Sequence, residues 1–463
     1  MANPNKRSAL TKATNFVNLD HIPGPRGLYY LNYVRHFQRN ILQAFKRVNS
    51  EYGPIGSFPW PMNSIIIYSP EFSKSVLVEN SKSYIKGEQI EELRAVVGNG
   101  LATNNNHESW LKSRALLARE FNNKSVDGFV ESFKEISIAH FDQWPDSSFS
   151  LDLCEEMKLL TFKIACQTLL GSKLSHQDAK DVNAAVHYTS IVTYKRIFQI
   201  FPIPYWVPTL TNLKFNRHYK NLDRIVKKLI TEEQKNSKKD TNNSRPSVLQ
   251  KLVHAKDDET NFSFSDEELR DEVLTMMLAG HETSAHTLTW IFGLLAKHKD
   301  IQEELYQEIM KSENVHPQNY MEEIKLLRCV IFESMRLYPA FPVLSRKTAA
   351  DVKLGKFDIP KNTNVVIPIY VMQRNSEYWE NPSEFRPERF LNEANEKSYA
   401  FLPYSRGPRR CIAELFANTE MAIIVVLMLK RFSLSLKASE LPEEEAFVSL
   451  KPTGGMLIEF SWR

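Results

Sequence analysis

Residues 401–416 read Phe401-Leu-Pro-Tyr404-Ser-Arg406-Gly407-Pro408-Arg409-Arg410-Cys411-Ile-Ala413-Glu-Leu-Phe416. A lone cysteine follows a tight, arginine-rich turn and directly opens an apolar helical stretch. Gly407 and Pro408 enforce the turn, because glycine reaches backbone conformations closed to other residues and proline fixes its own φ. Such a turn predicts backbone N–H groups directed at the sulfur, and the helix after Cys411 brings the positive end of its dipole toward it. Both effects favour the thiolate, the form in which cysteine ligates iron. The same residues also fit a small buried hydrophobe at a helix start, the commoner fate of a single cysteine.

The rest of the chain narrows the choice. Its 463 residues are 42% apolar, enough for a large core enclosing a pocket. Against 55 acidic side chains stand 59 basic ones, a net charge of +4, too small for the chain's size to imply nucleic-acid binding by composition, and no nucleic-acid partner is expected. Cys154, Cys166, Cys329 and Cys411 show no CxxC pair, which argues against a disulfide framework, a zinc knuckle or c-type haem attachment and for a reducing compartment. Residues 1–20 are polar and hold no apolar run fit for a signal peptide or spanning helix, so a flexible segment is expected there. A single domain is expected over 21–463, in the cytoplasm, as a monomer.

Ile55–Phe58 and Ser64–Tyr68 read as a small hairpin, and strands are expected again at Val365–Tyr370 and Gly454–Phe460. Between about Phe72 and Leu337 the pattern is mostly helical, broken by a polar loop at 236–246. The fold class is therefore mainly α with small β-sheets. The strongest helix runs from a capping box, Ser265 with Glu268, to about Lys297, some 50 Å without a proline. It contains Ala279-Gly280-His281-Glu282-Thr283-Ser284. Glycine costs about 1 kcal/mol against alanine inside a helix, so its missing side chain must be used. Ala279 and Gly280 leave a groove, Thr283 can bond back one turn and bend the helix, and Glu282 adds an exchangeable proton. Further on, Glu333 and Arg336 share a helix face before Pro339 ends it.

The loop Tyr404-x-x-Gly407-x-Arg409-x-Cys411-x-Ala413 resembles the haem-binding loop of the cytochrome P450 family, and Ala279-Gly280-x-Glu282-Thr283 is similar to that family's oxygen-binding groove. The resemblance spans Ile22 to the C-terminus. It implies a long central helix over haem b, with Cys411 as the iron ligand on the proximal side. Thr283 would hold dioxygen or its waters, and Glu282 would help to deliver protons. His281 falls at a variable position and is expected in the core or on a helix face rather than as a second iron ligand. Trp110-x-x-x-Arg114, Arg346 and Arg409 match the positions that meet haem propionates, and Phe385–Phe390 brings Arg389 to Glu333 and Arg336 in a structural network. Departures are Tyr404 for phenylalanine, Ala413 for glycine, Asn362 for glycine, and Gln373 for histidine.

The activity implied is insertion of one oxygen atom from O2 into a hydrophobic substrate, a fatty acid, terpenoid or similar, with Val343, Leu344 and the region of Met456 facing it. No flavin or nicotinamide module appears in the sequence, so electrons would come from a ferredoxin or flavodoxin, docking on a basic face formed by Arg406, Arg410 and Lys112. The lid-like segment 197–208 would suit peripheral membrane contact. With no anchor before Ile22, the chain reads as a soluble member of prokaryotic type. A peroxide-driven peroxygenase or isomerase, and a haem-based sensor, are the competing classes. Glu282-Thr283 favours the monooxygenase.

Overall fold

The computed structural model describes residues 17–463 apart from 60, 172–175, 198, 200–202, 237–245 and 258–261. The polar loop expected at 236–246 therefore lies almost wholly outside the described residues, and the lid-like segment partly so. Strands β1 (Ile55–Phe58) and β2 (Ser64–Ile67) form the antiparallel hairpin. They join β3 (Tyr84–Lys86), β5 (Leu344–Thr348) and β6 (Asn364–Ile367) in a sheet ordered β1-β2-β6-β5-β3. β2 and β6 pair in parallel, so the two ends of the chain build one sheet. Its side chains Ile65, Ile67, Val365 and Ile367 share a core with Val17, Leu19 and Ile22. Packing thus reaches back into the segment expected to be flexible.

Two strand expectations need correction. The strand expected over 365–370 ends at Ile367, because Pro368 has no N–H for the ladder, and Ile369–Met372 turns helical. The C-terminal strand, β8 (Leu457–Trp462), begins later than expected because Gly454 and Gly455, at φ 73° and 88°, form a turn. β8 lies between β4 (Phe149–Asp152) and β7 (Phe432–Leu436).

The helices that place the site are α1 (Glu88–Val97), α2 (His107–Ala118), α3 (Leu153–Leu169), α4 (His176–Ile197), α5 (Leu210–Asn236), α6 (Asp266–Lys297), α7 (Lys325–Leu337) and α8 (Glu414–Arg431). The 32-residue α6 opens with both bonds of the Ser265–Glu268 capping box. From Ser284 to Ala296 every residue is buried, so α6 crosses the interior against α3, α7 and α8. His281 is a core residue: it is buried, its Nδ1 pairs with the Met277 carbonyl at 2.8 Å, and its ring meets Phe162 edge-on. Burial lowers its pKa to about 4, keeping the imidazole neutral. Among the described residues no helix is long and apolar enough to cross a membrane.

Candidate active site

The cysteine loop is closed by its own backbone. The Cys411 amide donates to the Tyr404 carbonyl at 2.9 Å and the Arg410 amide to that of Gly407 at 3.0 Å. Gly407 sits at φ 76°, where a Cβ would lie 1.9 Å from the Leu77 carbonyl oxygen, so both conformation and space demand glycine. The Tyr404 hydroxyl, absent from a phenylalanine, donates to Asn418 Oδ1 at 2.5 Å. Of the four cysteines only Cys411 is exposed. Dense protein around it nevertheless pushes its pKa up, while the Ala413 N–H, Arg114 and Arg410 pull it down. The local N–H and the two guanidinium charges thus favour the thiolate, as the loop leads one to expect, and desolvation opposes them. α8 begins at Glu414, three residues after the sulfur.

Beside the loop, four cations gather without an acid. Arg346 on β5 stands directly opposite Lys86 on β3, and like charges opposite each other on neighbouring strands repel. Arg409 and Arg114 complete the group. Trp110, fully buried, lies under Arg409 at 4.3 Å and Arg114 at 5.6 Å from its ring centre. Burial and then Arg409 bring Arg346 down to about 10, burial and then Arg114 bring Arg409 down to about 10, and burial followed by Arg346, Arg409 and Arg114 holds Lys86 well below its ordinary value. Among the described residues no carboxylate pairs with any of the four. The protein bonds they do make go to backbone carbonyls, from Arg409 to Asn104 at 2.9 Å and from Arg346 to Ser345 at 2.9 Å. Such a seat fits a ligand bearing two carboxylates beside an accessible sulfur. The structure thus brings Trp110, Arg114, Arg346, Arg409 and Cys411 together. Lys86 was missed: a lysine in a three-residue strand carries no signal until the register sets it against Arg346.

On α6, Ala279 is exposed and Gly280, Glu282 and Thr283 are partly so, although the flanking turns are buried. The Thr283 hydroxyl donates to the Ala279 carbonyl at 2.7 Å, leaving its oxygen free to accept. A Cβ on Gly280 would meet Leu169 Cδ1 at 3.0 Å, so glycine also lets α3 approach. Burial raises the Glu282 carboxyl above its usual range against the pull of Lys158 and Lys451, so it holds its proton to higher pH. Behind this groove the buried carboxyl of Glu420 on α8, with Ser284 as its polar neighbour, is pushed by burial to about 8, which spares the α6–α8 contact a buried charge.

On α7, Glu333 receives Arg336 through two bonds of 2.7 Å, and both side chains are wholly buried. Arg336 also donates to the carbonyls of Gln373, Pro382 and Glu384. Arg389 reaches Glu333 through Nε at 3.3 Å, and the Arg386 amide adds a bond of 3.0 Å. Gln373, the departure from histidine, bonds the Met335 and Arg336 carbonyls and the Leu402 amide, tying the end of α7 to the segment before the cysteine loop. Asn362 adopts φ 67°.

Two functional expectations change. Lys112 is paired with Glu108 at 2.7 Å and Arg410 is clamped by Glu414, so two of the three cations of the basic face are neutralised within the chain, while Arg406 donates to the Glu396 carbonyl and keeps its charge. Met456 is buried and packs on Gly293 of α6, where a Cβ would lie 2.2 Å from its sulfur. Leu344 likewise packs against the sheet core. A cavity does open beside Val343, with Ile90, Leu93, Phe341, Phe447 and Val448 among its walls.

A family model described as cytochrome P450 matches residues 22–459. Cytochrome P450 4d2 of Drosophila melanogaster is 27% identical, over 94% of this chain and 92% of its own length. Pentalenene oxygenase of Streptomyces avermitilis is 28% identical, over 81% of this chain and 83% of that protein. Cyclooctat-9-en-7-ol 5-monooxygenase of Streptomyces melanosporofaciens is 26% identical, over 81% of each. With the match running almost end to end, across the cysteine loop, the α6 groove and the Glu333 network alike, the chain belongs to the cytochrome P450 family.

Proposed function

We propose that this oxidoreductase inserts one oxygen atom from O2 into a hydrophobic substrate, with haem b seated on Cys411 and electrons supplied by a separate ferredoxin or flavodoxin. The observation that carries the reading is the accessible Cys411 sulfur beside Lys86, Arg114, Arg346 and Arg409, four cations without an acid. When bound, the haem supplies the iron at which oxygen is activated. Trp110 and the four cations would hold its carboxylates, Ala279 and Gly280 would leave room on α6, and Ala413 lies two residues from the sulfur ligand Cys411. Glu333, Arg336 and Arg389 brace the segment that leads into the cysteine loop. The apolar cavity at Val343 and Phe447 supports a fatty acid or terpenoid, in line with relatives named for pentalenene and cyclooctat-9-en-7-ol. Exposed Ile203, Trp206, Leu210 and Leu213 support peripheral membrane contact of a cytoplasmic monomer. The test is turnover of a lipid library with NADPH and a surrogate redox chain, against hydrogen peroxide alone, with products read by mass. Products in the peroxide arm only would assign a peroxygenase.

Thr283 and Glu282 manage protons. The Thr283 O–H is spent on the Ala279 carbonyl, so its oxygen accepts from a water and orders it in the groove, while Glu282 holds a proton one residue away. Proton transfer of this kind contributes about 10²–10⁴-fold. Thr283→Ala is therefore expected to keep haem and substrate binding while product per NADPH falls at least about tenfold and NADPH consumption continues. Unchanged coupling would remove Thr283 from the mechanism.

Lys86 gives a prediction of two opposite signs. Lys86→Met relieves the cross-strand repulsion with Arg346, so the cofactor-free protein should gain up to about 1 kcal/mol. The haem-loaded protein should lose haem faster, because a propionate partner is gone. Melting both forms and timing haem transfer to apomyoglobin checks this, and a loss of stability in both forms would contradict it.

A further inference from the structure

We propose that a buried ion pair between Arg196 and Glu92 is a clasp that gates admission to the cavity, a reading that rests on that cavity being the substrate site. Glu92 lies on α1 between Ile90 and Leu93, and Arg196 follows Tyr194 on α4; Ile90, Leu93 and Tyr194 all line the cavity. The Arg196 Nε donates to Glu92 Oε2 at 3.1 Å, and both side chains are 5% exposed. Arg196 Nη1 donates to the Ile203 carbonyl, and the guanidinium lies 3.8 Å above the Tyr205 ring. Tyr205 in turn stacks on Phe215 of α5 at 4.4 Å. One guanidinium therefore joins α1, α4, residues 203–205 and, through Tyr205, α5. Separating α1 from α4 along this wall requires that it let go.

The chemistry of the pair makes it releasable. Every N–H of the structural Arg336 is engaged, by Glu333 and three carbonyls. In the clasp, Arg196 Nη2 is buried with no hydrogen-bond partner among the described residues. Closure thus leaves one guanidinium nitrogen unsatisfied and two charges dry, whereas opening returns them to water. The closed and hydrated states are balanced in a way that a fully satisfied network is not. The pair also spans 104 positions, so its rupture separates elements rather than fraying one.

In the haem-loaded enzyme, Glu92→Ala strands the Arg196 charge, which only local opening can hydrate. Stopped-flow binding of two azoles to the haem separates admission from chemistry. Clotrimazole, which is bulky, should associate and dissociate about tenfold faster or more in the variant, while imidazole, small enough to pass a closed clasp, should change less than about twofold. Amide exchange over 88–97 and 190–197 should rise by a similar factor. Glu92→Gln, which keeps the shape of the side chain, is the second variant should the alanine variant misfold. Glu92→Leu with Arg196→Met replaces the charges by apolar groups and should restore slow clotrimazole association. Unchanged azole rates with unchanged exchange would overturn the clasp, as would equal acceleration of both azoles. If wild type gives no azole-induced Soret shift, the haem reading fails, and the amide-exchange arm still decides the clasp.

Discussion

Cys411→Ser is expected to abolish the red-shifted Soret band of the ferrous carbon monoxide complex and to reduce oxygenation to background. Only a thiolate donates enough charge to iron to produce that band, and a serine hydroxyl stays protonated. Haem should not be lost entirely, because Lys86, Arg114, Arg346 and Arg409 remain beside the loop and hold carboxylates independently of the sulfur. The loop should also survive, since its closing bonds come from backbone amides of Arg410 and Cys411 and its turn from Gly407. The measurements are the carbon monoxide difference spectrum and the haem-to-protein ratio, before and after substitution. A wild-type spectrum like that of a histidine-ligated haem would sink the assignment of Cys411.

Arg336→Ala should leave little haem-loaded protein. It strips Glu333 of a two-bond partner at a position with no solvent access, and it deprives three backbone carbonyls of a donor. Removing one partner of a buried pair costs about 3–5 kcal/mol, against a total stability of about 5–15 kcal/mol. Arg389→Ala should do the same in smaller degree, because Arg389 meets Glu333 through a single 3.3 Å bond and keeps its other bond to the exposed Asn381 carbonyl. The ranking follows from geometry and is read from denaturant midpoints and haem content of the two variants. Normal haem content in Arg336→Ala would show that the network does not brace the site.

What could be read along the chain was set by short-range physics. The capping box of α6 spans Ser265 to Glu268, Glu333 and Arg336 share one helical turn, and the Gly407 turn lies within the cysteine loop, so propensity and spacing fix each of them. The pairs Glu108–Lys112 and Arg410–Glu414, which neutralise two cations of the expected basic face, are i,i+4 neighbours and were equally legible. The strand limits at Pro368 and Gly455 were legible in the same way.

The tertiary structure decided what depends on register and on distant segments. Nothing near Lys86 announces that it faces Arg346, since that opposition exists only after β3 pairs with β5 across the chain. The same holds for Met456 against Gly293, and for Glu92 and Arg196, which become partners when α1 meets α4. The sequence by itself determined the long α6, the turn of the cysteine loop and the Ala279–Thr283 segment, because each rests on neighbours within a turn or two. Which charges face one another inside, and therefore what the seat beside Cys411 can hold and what closes the cavity, followed only from packing, because burial multiplies electrostatic consequences that the unfolded chain in water does not feel.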